Sequence, residues 1–305
     1  MTFFEKLQNL DRRYIYIMVA LAIIIPFMVP FNSKTYTTDT TENIYQLVDS
    51  YAGRPDRAIL MTFQHDASTM PELYPMEVAM LRQCFLRHVK VFMLCFDPSI
   101  APLIDYVINT VKEEFPDVKS GTDYCNFGFK AIYLPLVLGM GDDIAAAVET
   151  DAEGRNIANL PIMQGIKNYN EMNFVIEFSG SSAAYVWINY ARTRFGANVA
   201  AGVTAVMAAE QYPFIQTGQL VGMLAGLKGA AEYEKLVDLF AQQNRKFSKE
   251  IARTEHPNIL NVNPKFTKAR IGMNAQTVAH ILILVFIIVG NIGYFVTRRN
   301  KKTVA

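Results

Sequence analysis

The sequence predicts an α/β fold: an open, doubly wound, mostly parallel sheet of about five strands, with one apolar span before it and one after it. Three observations lead there. Short, continuously apolar runs alternate with amphipathic runs of helical period from residue 57 to about residue 240. Strands that read as unbroken apolar runs are buried on both faces, which in a parallel sheet means helices on each side. Residues 14–31 and 278–296 are apolar and carry no charged residue.

The C-terminal span, VAHILILVFIIVGNIGYFV, has His280 and Asn291 as its only strongly polar side chains. At 1.5 Å per residue it reaches about 28 Å, the thickness of a hydrocarbon core. Arg298, Arg299, Lys301 and Lys302 follow it, which predicts a transmembrane helix with a basic cytoplasmic tail over 297–305. Near the other end, residues 1–13 place Phe3, Phe4, Leu7 and Leu10 at helical spacing and predict an amphipathic cytoplasmic lead-in. Residues 14–31 (YIYIMVALAIIIPFMVPF) exceed the usual signal-peptide core and lack a small-x-small cleavage site, so they predict an uncleaved signal anchor. Both ends then lie in the cytoplasm. The region between is expected outside, on a bacterial inner membrane.

Within that region, residues 32–55 read as a Thr-rich tether and the start of the domain, residues 56–255 as the domain, and residues 256–277 as a return linker broken by Pro257 and Pro264. Strands are predicted at 57–63, 90–96, 173–178 and 198–203, with a short third strand at 123–126. Helices are predicted at 76–88, 104–115 and 183–194, then near 210–229 and 230–247. The architecture is Rossmann-like or flavodoxin-like, in which ligands sit at the carboxyl ends of the strands.

Formal net charge is +1: residues 1–13 carry +1 and the tail +4, leaving −4 for the remainder. A mildly acidic middle without a basic patch excludes nucleic acid as the expected partner, and basic ends beside apolar spans point to membrane lipid. Cys84, Cys95 and Cys125 are odd in number and lack a CxxC spacing, so neither a disulfide framework nor a zinc site is expected. No Asn-x-Ser/Thr acceptor occurs, which favours a bacterial or archaeal source.

The loops after the predicted strands supply the candidate ligand-binding residues Asp66, Ser68, Asp97, Ser179, Gly180, Ser181, Ser182 and Thr204. A Gly/Ser turn entering a helix exposes backbone N–H groups that suit an anion, although serines at such a place also serve simply as caps. Neither GxGxxG nor GxxxxGK[ST] is present, so no nucleotide or other cofactor is expected. His65, Asp66 and Glu72 are the residues an enzyme would use, but their spacing matches no metal or catalytic signature. Gly141-Asp142-Asp143 reads as a helix N-terminus. Gly218, Gly222 and Gly226 recur every four residues, and on a helix they would form a smooth stripe, a candidate packing or subunit interface.

The segments PELYPM (71–76), LGMGDD (138–143), AGVTA (201–205) and residues 218–234 resemble those of a group of bacterial membrane proteins with a Rossmann-like domain between two spans. The resemblance implies the same architecture and brings no activity with it. The functional expectation is a membrane-anchored, non-catalytic subunit of a larger assembly, contacting other subunits or itself. The alternatives are a module binding a small anionic ligand and, behind it, a hydrolase or transferase.

Overall fold

The computed structural model describes residues 11–303, with side chains from 11 to 295. Residues 34–270 form one compact unit, and the terminal segments, through Ser33 and from Ile271, form another. The amphipathic lead-in, Phe3 to Leu10, lies outside the described residues.

In the terminal unit α1 spans Arg12–Met28, with Asp11 accepting from the Arg13 N–H as its cap. It is 17 residues long and holds Pro26 within its last turn. The last helix of the chain is Lys268–Thr303. Its part Lys268–Phe295 is the one described helix long and apolar enough to cross a membrane. Two such spans were expected; one is found. The helix also starts earlier than expected, inside the segment read as a return linker. Asn274 fastens the two terminal segments together, its amide donating to the Phe31 carbonyl and accepting the Ser33 hydroxyl.

The larger unit is an α/β fold with six parallel strands: β1 Ala58–Gln64, β2 Lys90–Cys95, β3 Tyr124–Phe129, β4 Phe174–Ser179, β5 Asn198–Val203 and β6 Gly222–Ala225. Their order is β3-β2-β1-β4-β5-β6, so the winding reverses between β1 and β4. Side chains alternate between the faces. Leu60, Phe92, Leu94, Phe127, Val175 and Val199 pack into one core with Trp187 and Ile188. Phe63 and Phe178 meet on the opposite face, where Met76 also lies. That face is covered by α2 (Asp39–Asp49), α3 (Met70–Arg87) and α9 (Gly226–Leu236, continued by a π-helical turn Val237–Ala241). The remaining helices are α4 Ala101–Lys112, α5 Tyr133–Gly139, α6 Ile144–Val148, α7 (Ala184–Val186, a π-helical Trp187–Arg192, then Thr193–Phe195), α8 Ala208–Gln216, α10 Lys249–Thr254 and, last, α11, the Lys268–Thr303 helix.

One expectation is corrected here. Within residues 32–55, α2 is the start of the domain: Tyr45 and Val48 are fully buried. Buried Lys235 secures both ends of the unit, donating to the carbonyls of Thr35 and Ala252 at 2.7 Å each. The glycine stripe does not exist, since no helix runs through it. Gly218 sits in a turn at φ +71°, Gly222 opens β6, and Gly226 begins α9 at φ +56°. Each glycine has its own reason. A Cβ on Gly222 would run into the Thr40 carbonyl oxygen of α2, and one on Gly226 would lie 2.8 Å from both Ala205 Cβ and Glu72 Oε2. Gly222→Ala is therefore expected to cost about 1–3 kcal/mol by forcing α2 off the sheet edge, read as a lowered melting temperature of the full chain in detergent. A melt within experimental error of the parent would refute that packing.

Both outer strands are covered. Asn43 Nδ2 reaches the Val221 carbonyl beside β6 at 3.4 Å, and the Asn126 carbonyl of β3 accepts the Ala152 N–H at 2.8 Å. Covering edges in this way removes templates for strand-to-strand aggregation.

Candidate functional site

The crevice where a doubly wound sheet takes a ligand lies at the carboxyl ends of β1 and β4. Here the chain's own loops meet. Asp66 Oδ1 accepts the N–H (2.9 Å) and hydroxyl (2.6 Å) of Ser68, a local turn that leads into α3. Asp97 makes the same turn with Ser99 after β2. Glu72, in the first turn of α3, accepts the Ala205 N–H beyond β5 at 2.8 Å. Across the reversal, a Cβ on Gly180 would sit 2.8 Å from the Thr69 methyl, so the β1 and β4 loops are in contact.

Glu72 thus sets a carboxylate in the first turn of α3, where the helix dipole favours negative charge. Ser179 Oγ accepts the Ser181 N–H and pairs with the Ser181 hydroxyl, both at 2.9 Å; this closes a local turn and does not cap α7, which starts at Ala184 without a side-chain cap bond. Thr204 is nearly buried, and its carbonyl accepts the N–H groups of Met207 and Ala208. Of the residues expected at a ligand site, Asp66, Ser68, Ser179, Gly180, Ser181 and Ser182 lie on the β1 and β4 loops along the reversal, Thr204 follows β5, and Asp97 closes its own turn after β2.

The densest chemistry lies one layer deeper, where His65 is joined by Thr62, Glu77, Glu177 and Trp187, which are not among the candidates read from the sequence. Glu177 of β4 is fully buried and stands in register with Thr62 of β1. Its Oε2 accepts the Trp187 indole N–H at 2.6 Å and the Thr62 hydroxyl. Its Oε1 has no partner among the described residues. Burial pushes the Glu177 carboxyl up to about 7, against the pull of Thr62, Trp187 and the nearby His65. Next to it, His65 Nε2 meets Glu77 Oε1 at 2.5 Å while Nδ1 faces the Asp66 carbonyl at 3.2 Å. Burial alone would depress His65, but the Glu77 contact outweighs it and holds the imidazole above its usual range. Burial raises Glu77 too, and its Oε2 is also unpartnered among the described residues.

This arrangement can hold protons but is poorly placed to pass them to a substrate. Both ring nitrogens of His65 are engaged, and Glu177 is fully buried. A signal for the cluster was present in the sequence: Glu177 is a lone charge inside an apolar strand, NFVIEF, and Trp187 is the chain's only tryptophan.

The other candidates resolve simply. All three cysteines are free and buried, with thiols pushed up by desolvation. No group of three or more His, Cys, Asp or Glu suits a metal among the described residues. Asp143 caps α6 by accepting the Ala146 N–H at 3.0 Å, as its position predicts. Two cavities lie away from the reversal. One, of about 270 Å³, is bordered by Arg54, His88, Lys90 and Asp123; the other, of about 370 Å³, is bordered by Lys130, Ile132, Pro135 and Leu136. Lys130 is tied to the carbonyls of Val148 (3.1 Å) and Thr150 (2.7 Å).

No protein-family model, no curated protein and no solved structure matches this chain.

Proposed function

We propose that the chain is a membrane-anchored, non-catalytic subunit of a larger membrane assembly, whose α/β domain makes protein–protein contacts on the extracytoplasmic side of a bacterial inner membrane. In this reading α1 is the signal anchor, α11 is the second span, and both termini are cytoplasmic. One observation supports the non-catalytic reading: the strand-end loops spend their polar groups on one another, with Glu72 on the Ala205 N–H and Thr69 against Gly180. An enzyme or ligand-binding relative of this architecture keeps the strand-end crevice open, with convergent polar groups facing it. The apolar C-terminal helix supports the membrane anchorage.

A membrane-impermeant amine cross-linker added to spheroplasts, followed by mild-detergent extraction, tests both parts. Lys228, Lys249 and Lys265 expose about half or more of their side chains and serve as targets. The expected product is the chain joined to another polypeptide. Labelled but solely monomeric chain would remove the assembly; unlabelled chain in spheroplasts that labels after lysis would reverse the topology.

A further inference from the structure

Glu177 stands apart from every other buried acid of the domain in what it is fastened to. Asp238 and Glu234 face arginine side chains, and Glu77 faces His65. Among the described residues Glu177 has no ion-pair partner in contact; two neutral donors share its Oε2 while Oε1 has no hydrogen-bond partner. A bare carboxylate oxygen in an apolar core is costly, whereas a neutral carboxyl carrying its hydrogen there is much less so.

The donor on the other side is equally specific. Trp187 is the first residue of the π-helical stretch in α7. Such stretches widen a helix by a residue, are locally less stable than α-helix and recur at functional positions. The indole N–H is a direct tie from that stretch to the sheet, and its bond strength depends on the charge of Glu177, because hydrogen bonds to an ionised acceptor are roughly twice as strong. Between the tie and the strand lies the 179–183 loop, which touches Thr69 across the reversal.

We propose that Glu177 is a proton-binding latch, in which one proton, exchanged with solvent and resting on Oε1, sets how firmly Trp187 holds the π-helical part of α7 and the 179–183 loop to β4. With the proton bound, Trp187 and Thr62 donate to a neutral carbonyl oxygen. On its release to water they donate to a carboxylate, and the tie tightens. The groups that face this exchange are few. From β1 come Thr62 and His65, from α3 Glu77, from α7 Trp187, and from α5 Tyr133, whose ring lies 6.2 Å from the indole and which burial keeps neutral. The latch goes beyond the assembly reading and stands whether or not a partner subunit exists.

Because Trp187 is the only tryptophan, its emission reports on this one contact. The full chain in detergent micelles, excited selectively at tryptophan, is expected to show a sigmoidal change with pH centred at about 7. Glu177→Gln keeps an acceptor for the indole but cannot titrate, and its trace is expected to be flat. Thr62→Val removes one donor that favours the ionised form, and should move the midpoint up by roughly half to one pH unit while leaving Glu177 and Trp187 in place. A flat parental trace, a midpoint that survives in Glu177→Gln, or an unmoved midpoint in Thr62→Val would each overturn the latch. Should Glu177→Gln fail to fold, the parent and Thr62→Val decide the matter between them.

Discussion

Asp238→Ala is expected to destabilise the folded chain by about 3–5 kcal/mol. Asp238 is the shared anion of two buried cations. Arg82 Nη1 of α3 donates to its Oδ1 at 2.7 Å, and Arg270 of α11 donates to its Oδ2. Both guanidinium groups are 2% exposed. Arg82 has a second anchor in Glu114, at 2.6 and 3.0 Å, and stacks over Phe266. Arg270 has a weaker reserve: Nε and Nη1 lack hydrogen-bond partners among the described residues, and Glu234 stands 3.7 Å from Nε. Removing Asp238 leaves the buried Arg270 charge without a hydrogen-bonded carboxylate on its guanidinium, and the desolvation cost of that charge is what the experiment reads. Thermal or denaturant unfolding in detergent measures it. A loss below about 1 kcal/mol would show that water reaches the pair and that the burial is nominal.

Stability should also peak on the acid side of neutrality, contrary to the usual behaviour of carboxylate-rich domains. Burial raises Glu177 from 4.5 to about 7, and does the same to Glu234 although Arg270 and the N–H groups of Ala269 and Arg270 oppose it. Between about pH 4.5 and pH 7 the folded chain therefore holds protons that the unfolded chain has released. Stability is full at the lower end of that window and declines as the pH climbs through it, levelling once both folded-state acids have ionised. Each acid accounts for about 3 kcal/mol, since each is buried completely enough that solvent screening is small. His65 acts in the same direction, because Glu77 raises it and its stabilisation is lost at higher pH. Asp39, Asp56, Asp66, Asp97 and Glu255 are lowered by hydrogen bonds or ion pairs and act oppositely, but only below their ordinary acid range. Melting temperatures measured from about pH 4.5 to 8 should fall, and Glu177→Gln should remove about half of the slope. A profile that rises over this range would mean that neither acid is protonated in the folded chain.

The parallel core was legible because burial on both faces leaves its mark in each strand taken alone. AILMTF, VFMLCF, FVIEF and NVAAGV carry it, and they became β1, β2, β4 and β5. The sixth strand was not legible. Gly222–Ala225 is four residues long with glycine at its start and just after its end, so it has neither the length nor the branched side chains of a strand. It pairs because β5 offers a free edge and α2 presses on it from the other side. The four-residue spacing of Gly218, Gly222 and Gly226 matches a helix instead.

The candidate site divides in the same way. Asx turns at Asp66 and Asp97, the cap at Asp143 and the self-bonded serines at Ser179 and Ser181 are local chemistry, settled within a few residues of chain. Contact between Thr69 and Gly180, or between Glu72 and Ala205, joins loops more than a hundred residues apart. Such contacts tie the strand-end loops to one another. Sequence also marked Glu177 as an anomaly without saying what would surround it.

The residue pattern alone thus determined the chemistry that is local: which runs are apolar on every side, which turns close on themselves, and which C-terminal segment is greasy enough to enter lipid. Tertiary structure alone decided what depends on a distant neighbour: the pairing of β6, the contacts between the strand-end loops, and the burial that drives Glu177 and Glu234 towards neutrality. The division follows from range. Hydrophobic periodicity and capping act over a few residues, whereas desolvation and contact are properties of whatever the rest of the chain brings alongside.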